Sequence, residues 1–230
     1  MNNDICLITP PSPFLLDERV FMHIGILKVA SSLESRGISV DFLDLSGIEN
    51  YLKVVEDYCN TSEIQTFGIT ASTPQVPFAV LVAAKIKEFK PNSKIILGGP
   101  HVTLMNTASK REIKNGLENS DRATKDVEKL LQVFDVLVCG DGELTIFEAL
   151  KIDNGIIDAD DRKSPYFLTN EQFSTLPLPA RHLVDVDSYK YYIEDKRSTS
   201  LIAQLGCPFK CTFCSGRSSP FLRKIRQRSS

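Results

Sequence analysis

The sequence predicts an α/β fold, a doubly wound, mostly parallel five-stranded sheet with helices on both faces. Three observations point to it. Short apolar runs alternate with stretches of helical periodicity over roughly the first 150 residues. Those runs end in proline, glycine or hydroxyl-bearing residues, as strands entering loops do. A chain of 230 residues, 42% of them hydrophobic, has material for one well-buried domain and part of a second.

The first strand is expected at 4–9, an apolar run stopped by Pro10 and Pro11. A helix is predicted from His23 to Arg36, because Ile26, Val29, Ala30 and Leu33 share one face and Gly37 follows as a stop. Residues 39–45, with Val40, Phe42 and Leu43, read as a second strand, and 49–58 as a helix. A third strand spans 66–70. Pro77 then suits a helix start, and Phe78, Leu81, Val82, Ile86 and Phe89 form its apolar face before Lys90-Pro91 closes it. Residues 94–97 are a fourth strand that ends abruptly in Gly98-Gly99-Pro100. The polar stretch 107–132 is expected to be a solvated insertion with its own helix near 124–131. Residues 135–139 are the fifth strand, followed by Gly140-Asp141-Gly142-Glu143 and a helix to Leu150. This is the flavodoxin-like, Rossmann-like plan, in which ligands sit at the carboxyl ends of the strands.

Beyond Leu150 the character changes. Residues 153–163 are acidic and turn-rich, Leu176 to His182 is a proline-spaced connector, and 199–205 reads as one more strand. The domains expected are an α/β domain over 1–152, a linker over 153–197 and a further segment over 198–230. A formal net charge of -2 gives no global pull toward nucleic acid or an anionic membrane. The amino terminus has no signal-peptide pattern, and no apolar run approaches the ~20 residues of a spanning helix. A cytoplasmic protein with no nucleic-acid or membrane partner is expected.

Three of six cysteines crowd into one loop, Gly206-Cys207-Pro208-Phe209-Lys210-Cys211-Thr212-Phe213-Cys214, with the spacing C-x3-C-x2-C. Close-set cysteines in a reducing compartment more often hold a metal than a bridge. A zinc site needs a fourth protein ligand, and none is near in sequence. Three thiolates can hold three irons of a 4Fe–4S cluster and leave the fourth iron open. The alternatives are a zinc-stabilised interaction protein and idle thiols. Cys6 and Cys139 lie on predicted strands and behave best as small apolar residues.

The tripled cysteines, with glycine and proline about the first and an aromatic before the last, resemble the signature of radical S-adenosylmethionine (radical SAM) enzymes. The text upstream resembles the cobalamin-binding domain that precedes many of their barrels: His23-Ile24-Gly25-Ile26-Leu27, Gly68 to Thr73, Leu97 to His101, Val138 to Glu143, and the connector Leu176 to Arg181. The resemblance implies a 4Fe–4S cluster on Cys207, Cys211 and Cys214, S-adenosylmethionine on the open iron with Phe213 near its adenine, and reductive cleavage to methionine and a 5′-deoxyadenosyl radical. It further implies cobalamin held by Ser72, Thr73, Gly98, Gly99, Pro100, His101, Gly140, Gly142 and Glu143, and a reductant protein such as ferredoxin or flavodoxin. The reaction expected of the family is cobalamin-assisted methyl transfer or rearrangement on a substrate that the residues do not specify.

Two departures stand out. Leu205 occupies a position where many relatives carry arginine. The D-x-H-x-x-G motif of histidine-ligated cobalamin domains is absent: His23 is followed by Gly25 two residues later, with Phe21 where the aspartate would stand. A cobalamin-binding or purely structural Rossmann-like module without catalysis is therefore the alternative. Residues 198–230 would supply one strand and the cluster loop of an incomplete radical SAM barrel. The chain is expected to be an inactive fragment, truncated frame or half of a split system, loosely held beyond about residue 195 because a lone barrel strand cannot bury its faces.

Overall fold

The computed structural model describes residues 4–116, 121–209 and 211–228. The chain divides into two compact units, residues 1–95 with 177–201, and residues 96–176 with 202–230.

In the first unit β1 (Ile5–Thr9) pairs in parallel with β2 (Val40–Asp44) and with β3 (Thr66–Thr70), in register Leu7↔Phe42 and Cys6↔Phe67. Every residue of β1 is buried, which explains its unbroken apolar sequence. The crossovers are α1 (Ile24–Glu34), α2 (Tyr51–Thr61) and α3 (Val76–Phe89), and each has a predicted counterpart. Leu27, Ala30 and Leu33 of α1 are fully buried, as are Val82 and Ile86 of α3. Residues 177–201 belong to this unit: the Ala180 N–H donates to Leu27 O (3.0 Å) and the Lys190 N–H to Arg19 O (2.7 Å). They include a two-residue hairpin of β7 (Tyr192–Ile193) and β8 (Lys196–Arg197).

In the second unit the end of β4 (Lys94–Gly98), from Ile96 on, β5 (Val136–Cys139) and β6 (Gly155–Asp158) pair in parallel, with α4 (Pro100–Asn115), α5 (Arg122–Val133) and α6 (Gly142–Ala149) between them. A short α7 (Asn170–Thr175) carries Phe173, which packs with Leu168 and Leu176 against Leu144, Ile202 and Leu205. The strand order is β2-β1-β3-β4-β5-β6, the flavodoxin-like order with one strand added.

Several expectations need correction. The sheet has six strands, not five, because Ile156 and Ile157 form β6 inside the stretch read as linker. The stretch 107–132 is not a solvated insertion: α4 runs from Pro100 to Asn115 across its start, and the helix expected near 124–131 is α5 (Arg122–Val133). The strand expected at 199–205 is reduced to β9 (Gln204–Leu205), which pairs antiparallel with β10 (Arg226–Gln227). Ser219 and Arg226 are fully buried in the second unit, on either side of α8 (Pro220–Arg223).

Candidate functional site

In the first unit the strand order reverses between β1 and β3, and the loops leaving their carboxyl ends define the crevice where this architecture holds ligands. Gln75 ties the two loops together. Its Nε2 donates to Pro10 O (3.0 Å), and its Oε1 accepts from the Ser72 N–H (3.0 Å) and Ser72 Oγ (2.8 Å). Ser72 thus closes a capping box on the turn Thr73–Gln75 that leads into α3.

Beside this bridge lie hydroxyls with nothing to bond. Thr9 Oγ1 at the end of β1, Ser12 Oγ in the following loop and Ser46 Oγ after β2 are buried and have no hydrogen-bond partner among the described residues. Burying a hydroxyl without a partner costs about 1–3 kcal/mol, and these three lie at or just beyond the carboxyl ends of adjacent strands.

The surrounding loops are pinned by Arg19. Its guanidinium donates to Asp44 Oδ2 (2.8 Å), Ser46 O (2.9 Å) and Ser188 Oγ (3.1 Å), and it lies 5.2 Å from the centre of the Tyr189 ring. The Tyr189 hydroxyl donates to the same Asp44 carboxylate, and burial pushes its pKa well above the ordinary phenol value. His23 precedes α1 and makes no capping bond; burial holds its imidazole below its usual pKa, against the opposing pull of Asp44 and Glu18. A cavity of about 260 Å³ opens nearby, lined by Phe21, Met22, Tyr189, Tyr191 and Ser198 among others.

In the second unit Gly99 caps α4 with φ 101°, a conformation that favours glycine. The Thr103 hydroxyl joins the loops after β4 and β5, donating to Gly99 O (2.9 Å) and accepting from the Gly140 N–H (2.9 Å). Gly140 has φ 92°, and a Cβ there would lie 2.7 Å from the Ala159 carbonyl carbon, so packing within this unit already requires glycine. Gly98 has more room, with nothing closer than 3.8 Å to a built Cβ. His101 is buried in the first turn of α4, with Nε2 3.5 Å from Asp126 Oδ2, and burial lowers its pKa. Gly142 and Glu143 open α6, and Glu143 is buried. A cavity of about 170 Å³ is lined by Gly99, Pro100, Thr103, Leu104, Gly140, Phe221 and Leu222.

Cys207, Cys211 and Cys214 are free and exposed on one loop, and Phe213 is 91% exposed. Among the described residues no group of three His, Cys, Asp or Glu side chains is gathered as a metal centre. The donor chemistry fits an iron–sulfur cluster in type and number for an open-iron site.

Sequence reasoning missed Thr9, Ser12, Ser46, Gln75, Arg19, Thr103 and Asp160. Apart from the position of Thr9, Gln75 and Thr103 near strand ends, nothing in the sequence distinguishes them.

Residues 19–116 match the family described as B12 binding domain. The chain is 27% identical over 164 residues to an uncharacterised methyltransferase of Pyrococcus horikoshii, an alignment covering 64% of this chain and 30% of that protein. Two structures of the radical S-adenosylmethionine methyltransferase TsrM from Kitasatospora setae share the fold at 17% identity. The one with cobalamin and a [4Fe-4S] cluster bound gives a TM-score of 0.61 over 100% of this chain and 44% of that one. The one with tryptophan and a SAM analogue bound gives 0.60 over 99% and 43%. The chain thus spans less than half the length of each of these proteins. Among the described residues no helix is long and apolar enough to cross a membrane.

Proposed function

We propose that this chain is the cobalamin-binding part of a cobalamin-dependent radical SAM enzyme, extending to the loop that would hold its 4Fe–4S cluster. One observation carries the reading: a segment matching the B12 binding domain is followed in the same chain by a C-x3-C-x2-C loop whose three thiols are free and exposed.

The orphan hydroxyls suit cobalamin. The corrin periphery is rich in primary amides, which both donate and accept hydrogen bonds, and Thr9, Ser12 and Ser46 carry buried hydroxyls with no partner among the described residues. Ser72, Thr73, Gly98, Gly99, Pro100, His101, Gly140, Gly142 and Glu143 are carried forward as contacts, with Ser72 and Gly140 also serving roles within their own units. Without a D-x-H-x-x-G motif, these residues would bind cobalamin through its amides and tail, leaving cobalt without a protein histidine. Cys207, Cys211 and Cys214 would hold three irons, and Phe213 would flank S-adenosylmethionine. When bound, the cluster would supply an electron to S-adenosylmethionine and cobalamin would carry the methyl group; the polypeptide orients both and excludes water. The electron would come from a reductant protein such as ferredoxin or flavodoxin. Methyl transfer or rearrangement by the whole enzyme requires the longer polypeptide that its relatives have.

Two measurements on this chain test the reading. Titration with hydroxocobalamin should change the visible spectrum saturably, and the Thr9→Val/Ser12→Ala/Ser46→Ala triple variant should weaken the response. Anaerobic loading with iron and sulfide should give a brown product that the Cys207→Ala/Cys211→Ala/Cys214→Ala variant cannot form. Stoichiometric zinc with no iron, or a cobalamin spectrum unchanged by the protein, overturns the corresponding half.

A further inference from the structure

The cysteine loop is not left to hold itself. Its entry, Gly206, has φ 85°, and a Cβ there would lie 2.0 Å from Lys224 O, so the backbone of residue 224 is packed directly against it. The Cys207 N–H donates to Leu222 O (2.9 Å). Arg223 spreads its guanidinium over the next two peptides, donating to Pro208 O (2.7 Å) and to Phe209 O. The backbone from 206 to 209 is therefore shaped by α8 and the residue after it.

Helix α8 is only four residues long and could not stand alone. A buried carboxylate holds its first turn, beside the bond that Arg226 gives to Phe221 O (2.8 Å). Asp160, fully buried just after β6, accepts at Oδ1 from Ser219 Oγ (2.8 Å) and the Phe221 N–H (2.7 Å), and its Oδ2 lies 2.5 Å from Thr107 Oγ1 on α4. The Thr107 hydroxyl also faces Thr103 O at 2.9 Å. One hydroxyl proton cannot serve two acceptors, so a group at position 160 that accepts at one atom and donates at the other completes every bond. Asparagine is such a group.

We infer that Asp160 is a positioning residue for the first cysteine of the loop. It holds Ser219 and Phe221, which hold Leu222 and Arg223, which set the backbone of Cys207, Pro208 and Phe209. The first residues of the cysteine loop thus take their shape from the second unit itself. What the loop would coordinate rests on the proposed cluster; the relay itself does not.

The test compares amide hydrogen exchange at Cys207 in the full chain and in the Asp160→Ala, Asp160→Asn and Arg223→Ala variants. The Cys214 N–H, which bonds locally to Cys211 O, and the amides of β5 serve as controls. Asp160→Ala and Arg223→Ala should speed exchange at Cys207 about tenfold, the scale of one or two lost hydrogen bonds. Asp160→Asn should keep it near the wild-type rate, and β5 should stay protected throughout. Iron content after anaerobic loading should follow the same order. The inference is overturned if Cys207 exchanges alike in all four proteins. It also fails if Asp160→Ala exposes β5 while Arg223→Ala changes nothing, because Asp160 is then simply part of the core. Zinc uptake with this exchange pattern intact would remove the cluster and leave the relay standing.

Discussion

The guanidinium of Arg226 meets the carboxylate of Asp141 in the interior of the second unit, with 1% and 5% of the two side chains exposed. Arg226 also donates to Phe221 O (2.8 Å), so the same cation ties the end of the chain to the helix cap after β5 and to α8. Removing one partner leaves the other's buried charge without this ion pair, a loss that typically costs about 3–5 kcal/mol. Arg226→Ala and Asp141→Ala should each lower the urea midpoint substantially. The Asp141→Leu/Arg226→Met pair should recover much of the loss, because apolar side chains of similar volume do not need pairing. Equal midpoints for the Arg226→Ala variant and the wild type would contradict the burial.

Two glycines that look alike in the sequence should respond oppositely to alanine. Gly140 has φ 92°, and its added methyl would lie 2.7 Å from the Ala159 carbonyl carbon and 2.9 Å from the Asp160 nitrogen. Backbone cannot yield there as a side-chain tip could, so Gly140→Ala should cost about 2–3 kcal/mol. Gly25, in α1, has nothing within 4 Å of a built Cβ and an ordinary helical backbone, so Gly25→Ala should gain about 0.5–1 kcal/mol. Denaturant curves of the two variants against the wild type decide both signs.

The core strands were legible because apolar runs such as Ile5-Cys-Leu-Ile-Thr9 carry their own signal, and the helices because their apolar faces repeat. The sixth strand was not: Ile156 and Ile157 stand among aspartates and turn residues, and only the edge of an existing sheet makes them a strand. Gly98-Gly99-Pro100 carries both a turn signal and a helix-start signal, and the helix reading is the one realised at Pro100. The three loop cysteines were legible as a group because they lie close together along the chain. The buried polar partners were not legible, because Asp141 and Arg226 lie 85 residues apart and only the folded chain brings them together. Thr9, Ser12 and Ser46 illustrate the same point, since a missing hydrogen-bond partner is a property of the folded chain alone.

The six free cysteines should fall into two classes toward iodoacetamide. Cys207, Cys211 and Cys214 are exposed, whereas Cys6, Cys59 and Cys139 are buried. Burial pushes the Cys6 and Cys139 thiols far above their usual pKa, and Cys59 upward as well, which removes the reactive thiolate in addition to blocking access. Brief labelling of the folded apo protein should modify the three loop cysteines, and full labelling should require urea. Peptide mass spectrometry reads the positions directly; early modification of Cys139 would be inconsistent with the packing of β5.

Acid and base should act on the second unit through two buried groups with opposite signs. Burial depresses the pKa of His101 below its ordinary 6.5, with Asp126 opposing, so the folded chain keeps this imidazole neutral where the unfolded chain takes up a proton. Stability from this group is full above the unfolded value and is lost as pH falls from there toward the depressed one. Asp160 is displaced the other way: burial raises its pKa above the ordinary 3.8, against the hydrogen bonds from Phe221, Thr107 and Ser219 and the charge of Lys110. The folded chain therefore holds this proton where the unfolded chain has released it. That contribution is full below about 3.8 and declines as pH rises from there to the raised value. Urea midpoints measured across this range should show the acid-side loss reduced in His101→Gln, while Asp160→Asn, which cannot ionise, should lose the decline on the rising side. A His101→Gln profile superimposable on the wild type would mean that this imidazole titrates as it does in water.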